Sequence, residues 1–241
     1  MKRKKPKSLA DKWKGAFSKE KAKVPEAEKP VKQCGPGNNG PSLAIVRKAP
    51  VAFQISRMEN PKDFELMSFV IKACSKTADN PYMTVLHVEQ TRTGSRLVAC
   101  DGLRLHAAEI SKKIKSGNYK PHATKDAIAL GEPIEGVKFP VWTKVIPEKP
   151  EKRGVINLER SGLGKDRKEA EKLSIAFKSF VNQTGKTVNI RYLEDLLKKE
   201  WVVYSQKDGK RVILLKPKEG KAGELSSKSP LAVIIPIAEA A

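Results

Sequence analysis

Residues 51–56, VAFQIS, alternate apolar and polar positions with the period of a half-buried strand. The next stretch, NPKDFELMSFVIKACSK (60–76), changes to helical spacing. Phe64, Met67, Val70, Ile71 and Cys74 fall on one stripe, and Lys62, Ser68, Lys72, Ser75 and Lys76 lie away from it. Asn60 stands where a helix is capped, Pro61 suits the first turn, and Asp63 suits the positive end. YMTVLHVEQ (82–90) and SRLVACD (95–101) read as strands joined by the polar turn TRTG. Asp101-Gly102 is a turn pair, after which Leu103, Leu105 and Ala107 alternate with Arg104 and His106 as a further strand. An arginine between two leucines there is either a solvent-facing residue or a polar lip on an apolar surface.

The middle of the chain is less regular. GNYKPHATKDAIALGE (117–132) predicts two short strands, and VKFPVWTKVIPEKPEK (137–152) is punctuated by prolines. GVINLE (154–159) and KLSIAFKSF (172–180) read as strands flanking a charged loop. KTVNI (186–190) is a strand, NIRYLEDLLKK (189–199) a short helix, and WVVYSQ, RVILLKP and LAVIIPI three more strands. In the helix Leu193, Leu196 and Leu197 face inward while Arg191, Asp195, Lys198 and Lys199 face out. The order strand, helix, three strands thus occurs twice, a repeat of topology rather than of sequence.

Charge changes the picture. The 241 residues carry 48 Lys and Arg against 27 Asp and Glu, a net +21, which points to a polyanionic partner. Residues 1–33 hold twelve of the basic residues and four of the acidic ones, opening with MKRKKPK, where Lys2, Arg3, Lys4 and Lys5 form a basic arm. Residues 1–45 read as a basic disordered tail and Pro/Gly-rich linker, with a short helical spacing of Leu9, Trp13 and Phe17 inside it. No run approaches the ~20 apolar residues of a membrane span, and the basic start lacks the apolar stretch of a signal peptide. Three cysteines without paired spacing fit a reducing cytoplasm.

Enzyme chemistry finds little support. GPGNNG (35–40) matches the letters of a dinucleotide-binding loop, but a polar linker precedes it and no helix follows to meet a pyrophosphate. His87, His106 and His122 are scattered, Cys100 and His106 lack the spacing of a metal site, and Glu194 and Asp195 point to different helix faces. The expectation is a non-enzymatic protein with no cofactor and no metal.

VACDGLRLHAAEI resembles the V-A-T-D-G-H-R-L-A signature of the bacterial DNA polymerase III beta sliding clamp family. FPVWTKVIP is similar to that family's F-P-D-Y-x-x-V-I-P, VNIRYLEDLL to its F-N-x-x-Y-L-x-D-x-L, and LAVIIPI to its closing Y-V-V-M-P-M strand. The four segments occur in family order and span roughly residues 50–240. Cys100 replaces the motif's Thr, Leu103 its His, and Ile235-Pro236-Ile237 its Met-Pro-Met.

The resemblance implies an α+β DNA-clamp fold, with helices on one face of antiparallel sheets. Residues 46–241 would be one clamp-like domain, with half units at about 50–112 and 172–238 and an elaborated middle at 113–171. In that family rings of six domains turn their helices to DNA and tether polymerases. Carried over, Lys72, Lys76, Arg191, Lys198 and Lys199, with the basic arm, would face DNA. An apolar groove for a short peptide of a polymerase or other replication factor would be walled by Gly102, Leu103, Arg104, Leu105, Pro140, Val145, Ile235, Pro236 and Ile237. A ring from so short a chain needs many copies, hence a homo-oligomer, or a foreign partner. The alternatives are a non-encircling relative that binds or inhibits replisome proteins, and a general basic nucleic-acid-binding protein.

Overall fold

The computed structural model describes residues 51–164, 166–206, 212–218 and 229–239. Strand β1 (Phe53–Ser56) leads into helix α1 (Pro61–Ile71), which starts at Asn60 and Pro61 as the pattern predicts. The Asn60 side chain makes no capping bond. Asp63 instead ties the first turn to the sheet, its carboxylate accepting from the Ser111 amide and hydroxyl. The helix ends at Ile71, so Lys72 is its C-cap and Lys76 lies beyond it, a shorter helix than 60–76. A 3-10 turn (Pro81–Thr84) takes the first part of the expected strand 82–90. Strands β2 (Leu86–Gln90), β3 (Ser95–Cys100) and β4 (Arg104–Ile110) then form an antiparallel meander.

The region 117–132 holds three strands rather than two: β5 (Gly117–Tyr119), β6 (Pro121–Ala123) and β7 (Ala127–Leu130). β7 and β6 join β1 in a small separate sheet, ordered β1-β7-β6. A strap over 137–146, with a 3-10 turn at Trp142–Val145, leads to β8 (Glu151–Asn157).

The largest departure from the sequence pattern follows. KLSIAFKSF is not a strand but the middle of helix α2 (Arg167–Thr184). Asp166 caps its start by accepting from the Lys168 amide, and Gly185, at φ 62°, ends it in the left-handed conformation that glycine adopts without strain. The expected strand 186–190 shrinks to β9 (Lys186–Thr187), which pairs with β13 (Ala238–Glu239) outside the main sheet. The expected helix 189–199 is α3 (Ile190–Glu194), so Lys198 and Lys199 are not helical. β10 (Glu200–Ser205), β11 (Ile213–Pro217) and β12 (Leu231–Ile234) complete the fold.

One eight-stranded antiparallel sheet carries the molecule, in the order β5-β2-β3-β4-β12-β11-β10-β8. Its two three-strand meanders, β2-β3-β4 and β10-β11-β12, meet at the β4–β12 pair, where Arg104 faces Ile234 and Ala107 faces Leu231. Side-chain alternation divides each strand between two layers. Leu97, Ala99, Trp201, Val203, Ile213 and Ala232 share one core with Met67, Phe69, Leu173 and Phe180, so α1 and α2 cover the same face. Val98, Cys100, Leu105, Leu214 and Val233 point the other way, under Tyr82, Phe139, Trp142, Val145 and Ile146. The class is α+β, with the helices on one face of an antiparallel sheet, as expected.

Candidate functional site

The turn that opens β4 is built from its own side chains. Gly102 has φ 88°, and a Cβ there would approach the Met83 methyl to 2.9 Å. Asp101 Oδ1 accepts from the Leu103 and Arg104 amides at 3.0 and 2.9 Å, and its Oδ2 accepts from Arg104 Nε at 2.9 Å. The Arg104 side chain is 11 % exposed. Its Nη2 donates to the Lys72 carbonyl at the end of α1 (2.6 Å), Nη1 pairs with Asp195, and the guanidinium lies 4.7 Å from the Tyr192 ring centre. Arg104 therefore neither faces solvent nor shares a sheet face with Leu105. It points to the helix side and ties the ends of α1 and α3 to the turn.

The other sequence-predicted apolar positions fall in two groups. Leu103 and Ile237 are 50 % and 65 % exposed. Their segments run together: the Ile235 amide donates to the Leu103 carbonyl (2.8 Å) and the Ile237 amide to the Thr187 carbonyl (2.9 Å). Ile235 is half-buried and Pro236 buried. Leu105 is buried, and Val145 packs on the core that contains it. Pro140 is half-buried in the strap. The strap is anchored on both sides of Pro140. Phe139 stacks on His87 at 4.6 Å, Trp142 Nε1 donates to Glu89 (2.9 Å), and Asn118 Nδ2 donates to the Val137 carbonyl (2.6 Å).

The basic positions lie on the helix side or beside it. Lys72 Nζ donates to the Asp195 carbonyl (3.4 Å), and Lys198 Nζ to the Glu194 carbonyl (3.1 Å). Partial burial, then the nearby Lys72 charge, holds the Lys198 amine below the usual lysine range, against the pull of Glu194 and Asp195. Arg191 and Lys76 are exposed, and Lys199 is half-buried. Lys2, Arg3, Lys4 and Lys5 lie outside the described residues. The sequence reading missed the exposed face of α2, where Arg167, Lys168, Lys172 and Lys178 outnumber the single Glu171 beside a 60 % exposed Ile175. The signal that could have found it is Leu173, Ala176 and Phe180 at helical spacing between Asp166 and Gly185.

The remaining chemistry-bearing side chains are occupied structurally or exposed. His106 is buried against the Phe69 carbonyl, His87 bonds Asn118, and His122 is exposed. Burial pushes the Cys74 and Cys100 thiols up to about 12. No group of three or more His, Cys, Asp or Glu able to hold a metal occurs among the described residues. No helix there is long and apolar enough to cross a membrane.

No protein-family model matches the sequence, and no curated protein matches it. Among solved structures the chain is similar to the beta subunit of DNA polymerase III from Thermotoga maritima. The TM-score is 0.50 and the identity 14 %, over 80 % of this chain and 67 % of that one. The beta subunit from the DNA polymerase of Streptococcus pyogenes gives 0.49 at 11 % identity, over 81 % and 69 % of the two chains. The sliding clamp from Pseudomonas aeruginosa gives 0.48 at 14 %, over 79 % and 67 %. The fold is that of the bacterial DNA polymerase III beta sliding clamps, the one the four sequence motifs led us to expect.

Proposed function

We propose that this protein is a non-enzymatic, clamp-fold replication accessory of the cytoplasm. It associates with duplex DNA through phosphates and captures a short peptide of a polymerase or other replication factor. The observation that carries the reading is the division of the molecule. Arg167, Lys168, Lys172, Lys178, Arg191 and Lys198 lie on the helix side, with Lys72 at the end of α1, and outnumber Glu169, Glu171, Glu194 and Asp195 there. The exposed apolar residues Leu103 and Ile237 stand on segments that are hydrogen-bonded side by side. Lysine and arginine on helix surfaces neutralise phosphates without reading base edges. Two exposed apolar side chains next to the buried Leu105 and Pro236 offer a peptide a hydrophobic anchor point. The thiols pushed up to about 12 and the His106 imidazole pushed down to about 3 support the non-enzymatic reading, because neither is poised for proton transfer near neutrality.

The test uses duplexes of unrelated sequence. Affinity is expected to be equal among them and to fall with salt at a log–log slope of about −0.9 per phosphate neutralised. Changing Lys168, Lys172, Lys178 and Lys198 to Glu should weaken binding more than the same change at Lys113, Lys115, Lys120 and Lys144. Equal losses would reduce the interaction to diffuse charge. Leu103→Glu and Ile237→Glu should abolish capture of a Leu/Phe-bearing replication peptide and leave DNA affinity unchanged. Joint loss of both activities would rule out a separate groove.

A further inference from the structure

Among the described residues the eight-stranded sheet ends at β5 and β8, and an open edge strand is a template for pairing with another chain. On β8 the direction of the backbone groups follows from the ladder. Leu158 donates to the Lys199 carbonyl, so Leu158 and Lys199 are a hydrogen-bonded pair. By alternation Ile156–Trp201 is another such pair, and the intervening Val155, opposite Val202, turns its amide and carbonyl away from β10 toward the free edge. That carbonyl is taken. Gln183, near the end of α2, reaches over the edge and donates from Nε2 to Val155 O (2.9 Å), and the same nitrogen contacts Ser179 Oγ (2.9 Å).

Gly154 makes the reach possible. A Cβ on it would lie 2.4 Å from Cδ and Oε1 of Gln183, so any larger residue would push the amide off. The amide's Oε1 is buried with no hydrogen-bond partner among the described residues, a cost the two donor contacts and the fit over Gly154 must offset. A register shift between Val203 and Tyr204, and the charged run Glu151, Lys152 and Arg153, further disrupt the edge.

The opposite edge repeats the device with a loop. The Ile134 amide donates to the Asn118 carbonyl of β5 (2.7 Å). A Cβ on Gly117 would sit 3.1 Å from Pro133 Cβ, so here too a glycine admits the covering group. Each edge strand thus carries a glycine, and each has an outward carbonyl occupied from within the chain.

We propose that Gln183 is an edge plug that closes β8 to strand addition by a second copy of this chain, so that the protein does not extend its sheet by self-association. The proposal is independent of the DNA-binding reading, because mass is measured without DNA.

Light scattering of the full chain over a range of concentrations tests it. The wild type should keep one mass across the range, the same with and without Val155→Pro. Gln183→Ala, which removes the plug, and Gly154→Ala, which displaces it from the strand side, should each double that mass with rising concentration. Val155→Pro added to Gln183→Ala removes an outward amide and should restore the wild-type mass. Gln183→Met keeps the side-chain length without the donor and gives the same reading if the alanine variant folds poorly. A wild-type mass that Val155→Pro lowers would overturn the proposal, as would Gln183→Met and Gly154→Ala variants that keep the wild-type mass throughout the range.

Discussion

His106 sits on the central strand β4 with its ring stacked on Phe69, centroids 4.4 Å apart. Nδ1 donates to the Phe69 carbonyl at 2.8 Å, which leaves Nε2 unprotonated and buried without a partner among the described residues. Burial pushes the imidazole down to about 3, and the Arg104 and Lys72 charges add to the shift while the Phe69 carbonyl opposes it. In the unfolded chain a histidine titrates near 6.5, so acid protonates that state first. The contribution to stability is complete above about pH 6.5 and is lost as pH falls toward about 3, amounting to about 2 kcal/mol by pH 5. Urea titrations at a series of pH values should show this slope in the wild type and not in His106→Gln, which keeps a donor for the Phe69 carbonyl. Identical slopes would assign the acid sensitivity elsewhere. Arg104, two residues before it on the same face, shows why single positions were hard to read. Its spacing says only that it alternates with leucines, whereas its partners, Lys72 and Asp195, come from 32 residues before and 91 residues after it.

At the scale of elements, α1 was legible and α2 was not, and the physical difference is amphipathic contrast. The apolar stripe of α1 holds Phe64, Met67 and Val70, all buried, in a run with few competing periodicities. In α2, Leu173, Ile175 and Phe177 mimic the alternation of a strand, yet Ile175 is 60 % exposed. The helix spacing is carried by Leu173, Ala176 and Phe180, and one of these is a mere alanine. Its ends are the stronger evidence: Asp166 caps it and Gly185 closes it. The meanders were legible because hairpin turns and alternation are local. The small β1-β7-β6 sheet was not, since β7 lies some seventy residues from β1 and pairing at that range leaves no local signature. The caps carry a prediction. Asp166→Ala should cost about 1 kcal/mol through the lost bond to the Lys168 amide. Gly185→Ala should cost about as much, because a side chain is strained at φ 62° although no atom lies within 4 Å of the added Cβ. Denaturant midpoints check both. Unchanged midpoints would mean that α2 is held by its packing on β8 alone.

For the whole molecule the decisive feature is the β4–β12 seam, which turns two meanders into one sheet. The helix-side core runs across it without a break, from Phe64 and Met67 of α1 to Leu173 and Phe180 of α2, with Trp201 tilted against Phe69 at 5.8 Å. The second core, on the opposite face, also draws on both meanders, with Val98 and Leu105 from one and Leu214 and Val233 from the other. Neither meander can leave without exposing apolar surface on the other, so the two halves should unfold together rather than as separable repeats. The tryptophans report on this directly. Trp201 is buried in the helix-side core and donates to the Leu197 carbonyl, while Trp142 is buried in the second core and donates to Glu89. With Trp13 replaced by Phe to silence the third indole, Trp142→Phe and Trp201→Phe each leave a single probe on one core. After correction for the stability cost of each replacement, fluorescence of either probe should give the same denaturant midpoint and slope as far-ultraviolet circular dichroism of the same variant. A Trp142 transition at lower denaturant than the dichroism change in its own variant would show that the strap and second core melt first, and that the seam does not bind the halves into one cooperative unit.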